Sequence, residues 1–369
     1  LKPLAVEDVP LDCAIGRILA KPFVCGWALP HWDNSAMDGF ALRAAEVKSE
    51  SVQLQIVDTV AAGDSGDRPI PPGCTARIFT GAPLPPGTDT VMVQELANLT
   101  QSGKTVSFQR AAKPGENVRR RGSDISAGAV GIQKGRSLGV GDINFMASQG
   151  SVTACVHKRP RVAILSTGSE LCEPGHTPPK RGQIINSNVV AIAAAVRQAG
   201  GAPVVTPALP DHPQRILSGL RAAVEYDICV VCGGMSVGDY DFVRDALKTV
   251  SGDGFAFWKV ALKPGKPLGF GYARNCALFG LPGNPASAFV TFELFVKPAI
   301  RRLMGQESVR PVVQKARLVN GLKTGGDRQN YLRAAVTKIE NGVLWVDTRR
   351  NQSSGALSGL VDVDALVVV

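Results

Sequence analysis

Three lysines fall on one short segment, Phe257-Trp258-Lys259-Val260-Ala261-Leu262-Lys263-Pro264-Gly265-Lys266-Pro267. Proline fixes φ and glycine permits a sharp reversal, so Lys263 and Lys266 are held near a bend rather than on a free tether. Part of the ordering entropy is thereby met before a ligand arrives. Such a cluster suits a compact anion. The same lysines also read as solvated charges around a turn, and the segment alone leaves both readings open. Downstream, Leu278-Phe279-Gly280-Leu281-Pro282-Gly283-Asn284-Pro285-Ala286-Ser287 reads as an apolar strand, a tight loop and a helix start with Asn284 as N-cap and Pro285 at the first helical position. Unpaired N–H groups at such a start attract anions.

A second group is acidic. Asp33, Asn34, Ser35 and Asp38 share the loop Leu29-Pro30-His31-Trp32-Asp33-Asn34-Ser35-Ala36-Met37-Asp38-Gly39. That density of donors and acceptors suits a polar ligand or a cation, or else an Asx-rich turn that caps its own backbone. Thr80-Gly81-Ala82-Pro83-Leu84-Pro85-Pro86-Gly87 presents a hydroxyl on a rigid backbone. Val118-Arg119-Arg120-Arg121-Gly122-Ser123-Asp124 sets three cations beside a carboxylate, a pattern equally at home on a solvated face.

The elements that must position these groups follow from periodicity. Residues 11–20 alternate in part and predict a strand with a turn at Gly16; residues 51–118 predict a small all-β module. Helical spacing over 138–150 stops at Gly150, a strand follows at 152–156, and 158–160 reads as a linker. Beyond it come strand 162–165, the turn Ser166-Thr167-Gly168-Ser169-Glu170, helix 188–198, strand 203–206, helix 213–224 and strand 228–232. The loop Gly233-Gly234-Met235-Ser236-Val237-Gly238-Asp239-Tyr240-Asp241 and helix 242–250 complete the rhythm. This βαβ order predicts a doubly wound parallel sheet whose ligands bind beyond the carboxyl ends of the strands. Neither loop fits G-x-G-x-x-G or the Walker pattern, which excludes NAD and P-loop ATPase readings. In the tail, strands are expected at 312–319, 331–339 and 343–348, with Asn341-Gly342 as a hairpin turn, forming a small barrel or sandwich. Arg333 and the loop Gln352-Ser353-Ser354-Gly355 could reach a neighbouring pocket or fill ordinary strand and turn roles.

At 369 residues the chain is long enough for two to four domains. Its formal charge of +10 favours anionic partners without saying which: nucleic acid, phosphorylated metabolites or oxyanions. The 8 cysteines, mostly inside apolar runs, read as reduced core thiols in a reducing compartment, the cytoplasm. Cys229 and Cys232 form C-x-x-C, but within a strand-like run, and His31, His157, His176 and His212 lack ligand spacing, so core packing is expected. No apolar run is long enough to span a bilayer. The chain opens at Leu1 rather than Met, so a leader or first helix is expected ahead of it, and Val367-Val368-Val369 ends in strand-like sequence.

Six of these runs, in order, resemble the molybdopterin molybdenumtransferase family of molybdenum-cofactor biosynthesis, of the MoeA and gephyrin E-domain type. They are Asp33 to Gly39, Thr80-Gly81-Ala82-Pro83, Ser166-Thr167-Gly168, Gly233-Gly234 with residues 236–241, Lys263 to Pro267, and Leu281-Pro282-Gly283-Asn284-Pro285. The resemblance covers nearly the whole chain. It implies a multidomain α/β plus β fold: a linking and dimerisation domain (1–26 and 128–158), an inserted small β domain (27–127), a doubly wound pterin-binding domain (159–306) and a C-terminal β barrel (307–369), expected to be cut short.

The resemblance further implies a homodimer that inserts molybdenum from molybdate into adenylylated molybdopterin with release of AMP, using Mg²⁺. The molybdopterin adenylyltransferase is implied as a contact, and neither nucleic acid nor membrane as a partner. By match to the family motifs, Asp38, Thr80, Asp124, Glu170, Asp241, Lys259 and Lys263 are the expected catalytic set. Ser166, Thr167, Gly233, Gly234, Ser236, Lys263, Lys266, Pro267, Asn284, Ser287, Arg333 and Ser354 would bind pterin or molybdate; Glu170, Asp211, Asp239 and Asp241 would hold the metal. Asp38, Thr80 and Asp124 would face the doubly wound domain of the other subunit. The chain departs from the family at Ser169, where an acidic residue or Asn is usual, and at Ser123, where Glu is common. A molybdopterin adenylyltransferase and a non-catalytic dimeric scaffold are the competing readings. Met235 after Gly234 and the extra β modules weigh against the first, and the retained charged pocket against the second.

Overall fold

Along the strand Arg161–Ser166, alternate side chains serve two different cores: Val162 and Ile164 pack on one face, Ala163 and Leu165 on the other. The strand Ile228–Cys232 does the same, with Ile228, Val230 and Cys232 on the first face and Cys229 and Val231 on the second. Both faces being covered, the strands read as continuous apolar runs, as parallel strands must. The computed structural model describes every residue except 176–177, 236–241 and 323–324, and the side chain of Trp258. The chain divides into two compact units: Leu1–Lys21, Gly135–Ile143 and Thr153–Val369 form one, Pro22–Lys134 and Asn144–Val152 the other.

The larger unit is built on a six-stranded sheet in the order Ala202–Val205, Arg161–Ser166, Ile228–Cys232, Cys276–Leu281, Pro267–Ala273, Phe255–Lys259. The first four run parallel and the last two pair antiparallel. Helices Ser187–Ala199 and Lys297–Leu303 cover one face, Pro213–Ala223 and Phe242–Ser251 the other. Each Val, Leu or Ile so buried contributes roughly 1.5–3 kcal/mol. This is the doubly wound sheet expected, with helix ends within a residue or two of the sequence reading.

The same unit carries a ribbon, Val6–Pro10 paired with Thr153–His157, and a curled five-stranded C-terminal sheet. The long strand Gln329–Glu340 makes the curl, pairing Leu262–Lys263 and Ala365–Val368 along its first half and Val343–Asp347 along its second. Asn341 and Gly342 form the hairpin turn, with φ of 49° and 75°.

Two expectations fail. Residues 11–20 are no strand: Leu11–Cys13 is a short 3-10 turn, and Ile18 and Leu19 make single bridges to Ser137 and Val156. Consecutive Ile18 and Leu19 are both buried, so the segment is enclosed rather than alternating. The strand at 312–319 shrinks to Ala316–Leu318, because Val312 and Val313, 88% and 85% exposed, have no surface to pack on.

In the smaller unit, a mixed six-stranded sheet runs Thr90–Val93, Gly39–Leu42, Cys74–Ile78, Gln53–Val60, Thr105–Phe108, Ala97–Leu99. Phe40 and Leu42 face one core and Ala41 the other.

Candidate functional site

In the smaller unit, the three loops singled out in the sequence are knitted together. Asn34 and Ser35 pair with Arg119 and Val118. Gly81 N–H donates to the Ser35 carbonyl and Ser35 N–H to that of Ala82. Asp33 accepts the Arg120 guanidinium at 2.6 Å and the Arg121 N–H at 2.8 Å, and this N–H above all holds its carboxyl below the usual range. The Arg120 ion pair thus serves the loop rather than a ligand. Asp38 is held differently. Thr80 donates to its Oδ1 from both backbone N–H (2.8 Å) and hydroxyl (2.7 Å), leaving Oδ2 without a hydrogen bond among the described residues. The two Thr80 donors, the N–H first, lower the Asp38 pKa. Gly39 is required here, since a Cβ would lie 2.0 Å from the Met92 carbonyl oxygen. Asp124 is exposed on the third loop, its backbone N–H bonded to Leu29.

The larger unit presents its loops beyond the carboxyl ends of the parallel strands. Ser166 and Thr167 are buried at the end of the first strand. Asn186 donates to the Ser166 hydroxyl at 2.9 Å, while Thr167 Oγ1 is buried without a partner among the described residues. Gly233 and Gly234, with φ of +98° and +59°, close against this turn; a Cβ at Gly233 would lie 2.5 Å from the Thr167 carbonyl oxygen. Such tight corners admit only glycine without strain. Ser169 and Asp211 bond reciprocally: the Asp211 carboxylate accepts Ser169 N–H at 2.9 Å, and the Ser169 hydroxyl accepts Asp211 N–H at 3.3 Å. The Glu170 carboxylate folds back over Gly168.

A third cluster joins the lysine segment, the start of helix Pro285–Thr291 and the C-terminal sheet. Lys259, Lys263 and Lys266 are all exposed and, among the described residues, none has an ion pair. Lys259 pairs with Pro267 across the bend, Lys263 pairs with Asn330 of the strand that carries Arg333, and Gly265 packs on Thr291. Asn284 stands at the N-cap position, but its side chain does not cap: it donates to the Ser354 hydroxyl at 3.0 Å, and the Ser354 carbonyl accepts Ala286 N–H. Ser287, one turn into this helix, is buried. Arg333 is wholly buried, its Nε and Nη2 donating to the carbonyls of Gly359, Asn351 and Ser353, its Nη1 without an acceptor among the described residues. Burial lowers its pKa.

A cavity of about 120 Å³ beside Asn188 and Pro285 is lined mainly by Ala191, Ile192, Phe292 and Leu360. Its apolar wall suits neither an oxyanion nor a phosphate, so the candidate site is the polar ledge next to it.

Ser236, Asp239 and Asp241 lie outside the described residues. Among the described residues no three His, Cys, Asp or Glu side chains converge. Glu170 and Asp211, both against the 168–170 turn, still fit Mg²⁺, which rests on one or two carboxylates while keeping waters and phosphate oxygens. Sequence reasoning passed over Asn186, which fixes Ser166, and Asn188, whose amide holds the Gly283 carbonyl at 2.7 Å. Their signal was the pair of Asn residues at the head of the Ala/Val-rich helix. No helix among the described residues is long and apolar enough to cross a membrane.

The sequence matches three family descriptions: MoeA N-terminal region (domain I and II) over residues 1–150, probable molybdopterin binding domain over 163–302, and MoeA C-terminal region (domain IV) over 315–369. Fold and matches together define a multidomain protein built round a molybdopterin-binding type of α/β domain. A relative from Nostoc sp. is 37% identical over 98% of this chain and 84% of its own length, and one from Haemophilus influenzae is 34% identical over 100% and 90%. Both carry the name molybdopterin molybdenumtransferase. The crystal structure of the molybdopterin biosynthesis moeA protein from Pyrococcus horikoshii OT3 superposes with a TM-score of 0.84 at 28% identity, covering 100% of this chain and 91% of that one. The chain belongs to the MoeA family.

Proposed function

We propose that the chain is a molybdopterin molybdenumtransferase, inserting molybdenum from molybdate into adenylylated molybdopterin with release of AMP to give molybdenum cofactor. The carrying observation is Arg333, a buried guanidinium with no carboxylate partner among the described residues and one unsatisfied donor. A buried cation that meets only neutral carbonyls and no counter-charge costs on the order of several kcal/mol, and a small dianion would offset that cost.

Lys263, Lys266, Arg333, the Ser354 hydroxyl and N–H groups near Pro267 and Asn284 would hold molybdate. Ser166, Thr167, Gly233, Gly234, Ser236 and Ser287 would receive the pterin, and Lys259 its phosphates. In the transfer two oxygen ligands of molybdenum leave as water, on protons from the dithiol and from solvent, and the two dithiolene sulfurs take their places, while water adds across the pyrophosphate link to give the pterin phosphate and AMP. The protein's task is charge neutralisation and alignment, with no side chain acting as a covalent nucleophile. Glu170, Asp211, Asp239 and Asp241 would hold Mg²⁺, whose charge would neutralise the pyrophosphate. Asp38, Thr80 and Asp124 would be supplied by the second subunit of a cytoplasmic homodimer that receives its substrate from the adenylyltransferase.

Adding molybdate to protein loaded with adenylylated molybdopterin should release AMP. Lys263→Ala or Asp124→Ala should abolish release and leave the fold intact. If the chain alone instead attaches AMP from ATP to free pterin, the adenylyltransferase reading replaces this one.

A further inference from the structure

We infer that Gln352 is a positioning residue of the proposed oxyanion pocket, setting the loop that carries Ser354 onto the strand that carries Arg333; the inference rests on the molybdate reading above. On the strand Gln329–Glu340, the ladder to Leu262–Lys263 ends at Asn330 and the ladder to Val343–Asp347 begins at Ala335. Arg333 pairs with Leu366 on one edge of the strand and lies, on the other edge, in the gap between these two ladders. There the side-chain amide of Gln352 takes the place of a neighbouring strand. Its Oε1 accepts Arg333 N–H at 3.1 Å, and its Nε2 donates to the Arg333 carbonyl at 2.8 Å and to the Thr348 carbonyl at 3.2 Å. Both amide hydrogens are thus in use, leaving none to donate to a ligand.

The clasp is reciprocal. The Arg333 side chain binds the loop's backbone at Asn351, Ser353 and Gly359, while the Gln352 side chain binds Arg333's backbone. Asn351 Oδ1 tightens the turn by accepting Ser353 N–H at 2.9 Å. Ser354 follows directly and meets Asn284. Removing the Gln352 amide would strand two backbone groups of Arg333 and let the guanidinium and the Ser354 hydroxyl move independently. Molybdate should feel the change, and the pterin should not, since none of the described residues proposed for the pterin bonds to this clasp.

The test titrates molybdate alone into the whole chain by calorimetry, for wild type, Gln352→Met, Ser354→Ala and the double variant. In parallel, half-saturating molybdate for AMP release and affinity for adenylylated molybdopterin are measured. Gln352→Met, similar in length but without the amide, should weaken molybdate binding roughly tenfold, as loss of a supporting partner does at metal sites. Release at saturating molybdate and pterin affinity should stay near wild type. The double variant should bind no more weakly than the weaker single one, because the hydroxyl contributes only from a fixed loop. Should Gln352→Met not fold, Gln352→Asn, one methylene too short, should show the same loss. Full molybdate affinity in either variant, additive losses in the double, or an equal loss of pterin affinity would overturn the assignment. A wild-type chain that binds no molybdate would overturn the pocket itself and this assignment with it.

Discussion

The side-chain amide of Asn284 donates to the Ser354 hydroxyl at 3.0 Å instead of capping its own helix. With Ala286 N–H on the Ser354 carbonyl, the helix start and the C-terminal loop are joined twice, once through side chains and once through backbone. Ser354→Ala removes only the first. The loop should stay in place while a donor to molybdate is lost, and a hydrogen bond to a charged group contributes about 1.5–3 kcal/mol. Half-saturating molybdate in the AMP-release assay should therefore rise by roughly ten- to a hundredfold, each 1.4 kcal/mol being tenfold. An unchanged molybdate dependence would remove Ser354 from the site.

Arg333 makes a prediction about stability. A buried cation awaiting an anion should make molybdate a stabiliser of the fold, by about 2.7 kcal/mol at a hundred times its Kd. Thermal unfolding with and without molybdate measures this, with sulfate as a control for general salt effects. Arg333→Lys should lose the response, because an ammonium lacks the planar fork that reaches the carbonyls of Asn351, Ser353 and Gly359 while keeping a further donor free. A wild-type Tm indifferent to molybdate would contradict the pocket.

Thr80 and Asp38 tie stability to pH. The Thr80 N–H and hydroxyl depress the Asp38 pKa, so this pair contributes stability above the unfolded value, near 3.9, and loses it as pH falls through the lower folded one. Thr80→Val keeps the N–H and removes the hydroxyl. The Asp38 carboxyl should then titrate at higher pH than in wild type, and the acid limb of stability should shift the same way. Carboxyl NMR titration of both proteins checks the direction; coincident midpoints would show that the hydroxyl does not matter.

What the sequence disclosed and what it withheld divide on physical lines. The doubly wound sheet was legible because strands such as Ile228–Cys232 are buried on both faces and the helices between them carry clear stops, as at Gly200 with φ of +98°. Residues 11–20 misled because two adjacent buried residues, Ile18 and Leu19, imitate part of an alternating pattern. Asn284 read correctly as the residue before a helix, yet its side chain went to Ser354, 70 residues away, a contact no local rule contains. Gln352 was visible only as part of a loop that could reach a neighbouring pocket or fill an ordinary turn. Its role depends on a gap in the pairing of another strand, which exists only once the C-terminal sheet has curled.

Cys229 and Cys232 give the last prediction. A C-x-x-C pair on a helix shares one side, but positions 229 and 232 of a strand face opposite sides of the sheet. Cys229 packs under helices Pro213–Ala223 and Phe242–Ser251, and Cys232 packs in the core on the other face, so neither a disulfide nor a shared metal can join them. Burial pushes the Cys232 thiol up to about 12 and that of Cys229 well above its ordinary value, which leaves almost no thiolate to react. Cys13, by contrast, is exposed, so reagent reaches it even though the Asp12 carboxylate beside it also raises its thiol. Brief alkylation of the native protein at pH 8, mapped by mass spectrometry, should therefore modify Cys13 and spare Cys229 and Cys232, whereas all three should react once the chain is unfolded. Native labelling of Cys232 as fast as Cys13, or recovery of a peptide joining Cys229 to Cys232, would mean that this strand opens to solvent and that the parallel sheet is not the rigid floor on which the candidate site rests.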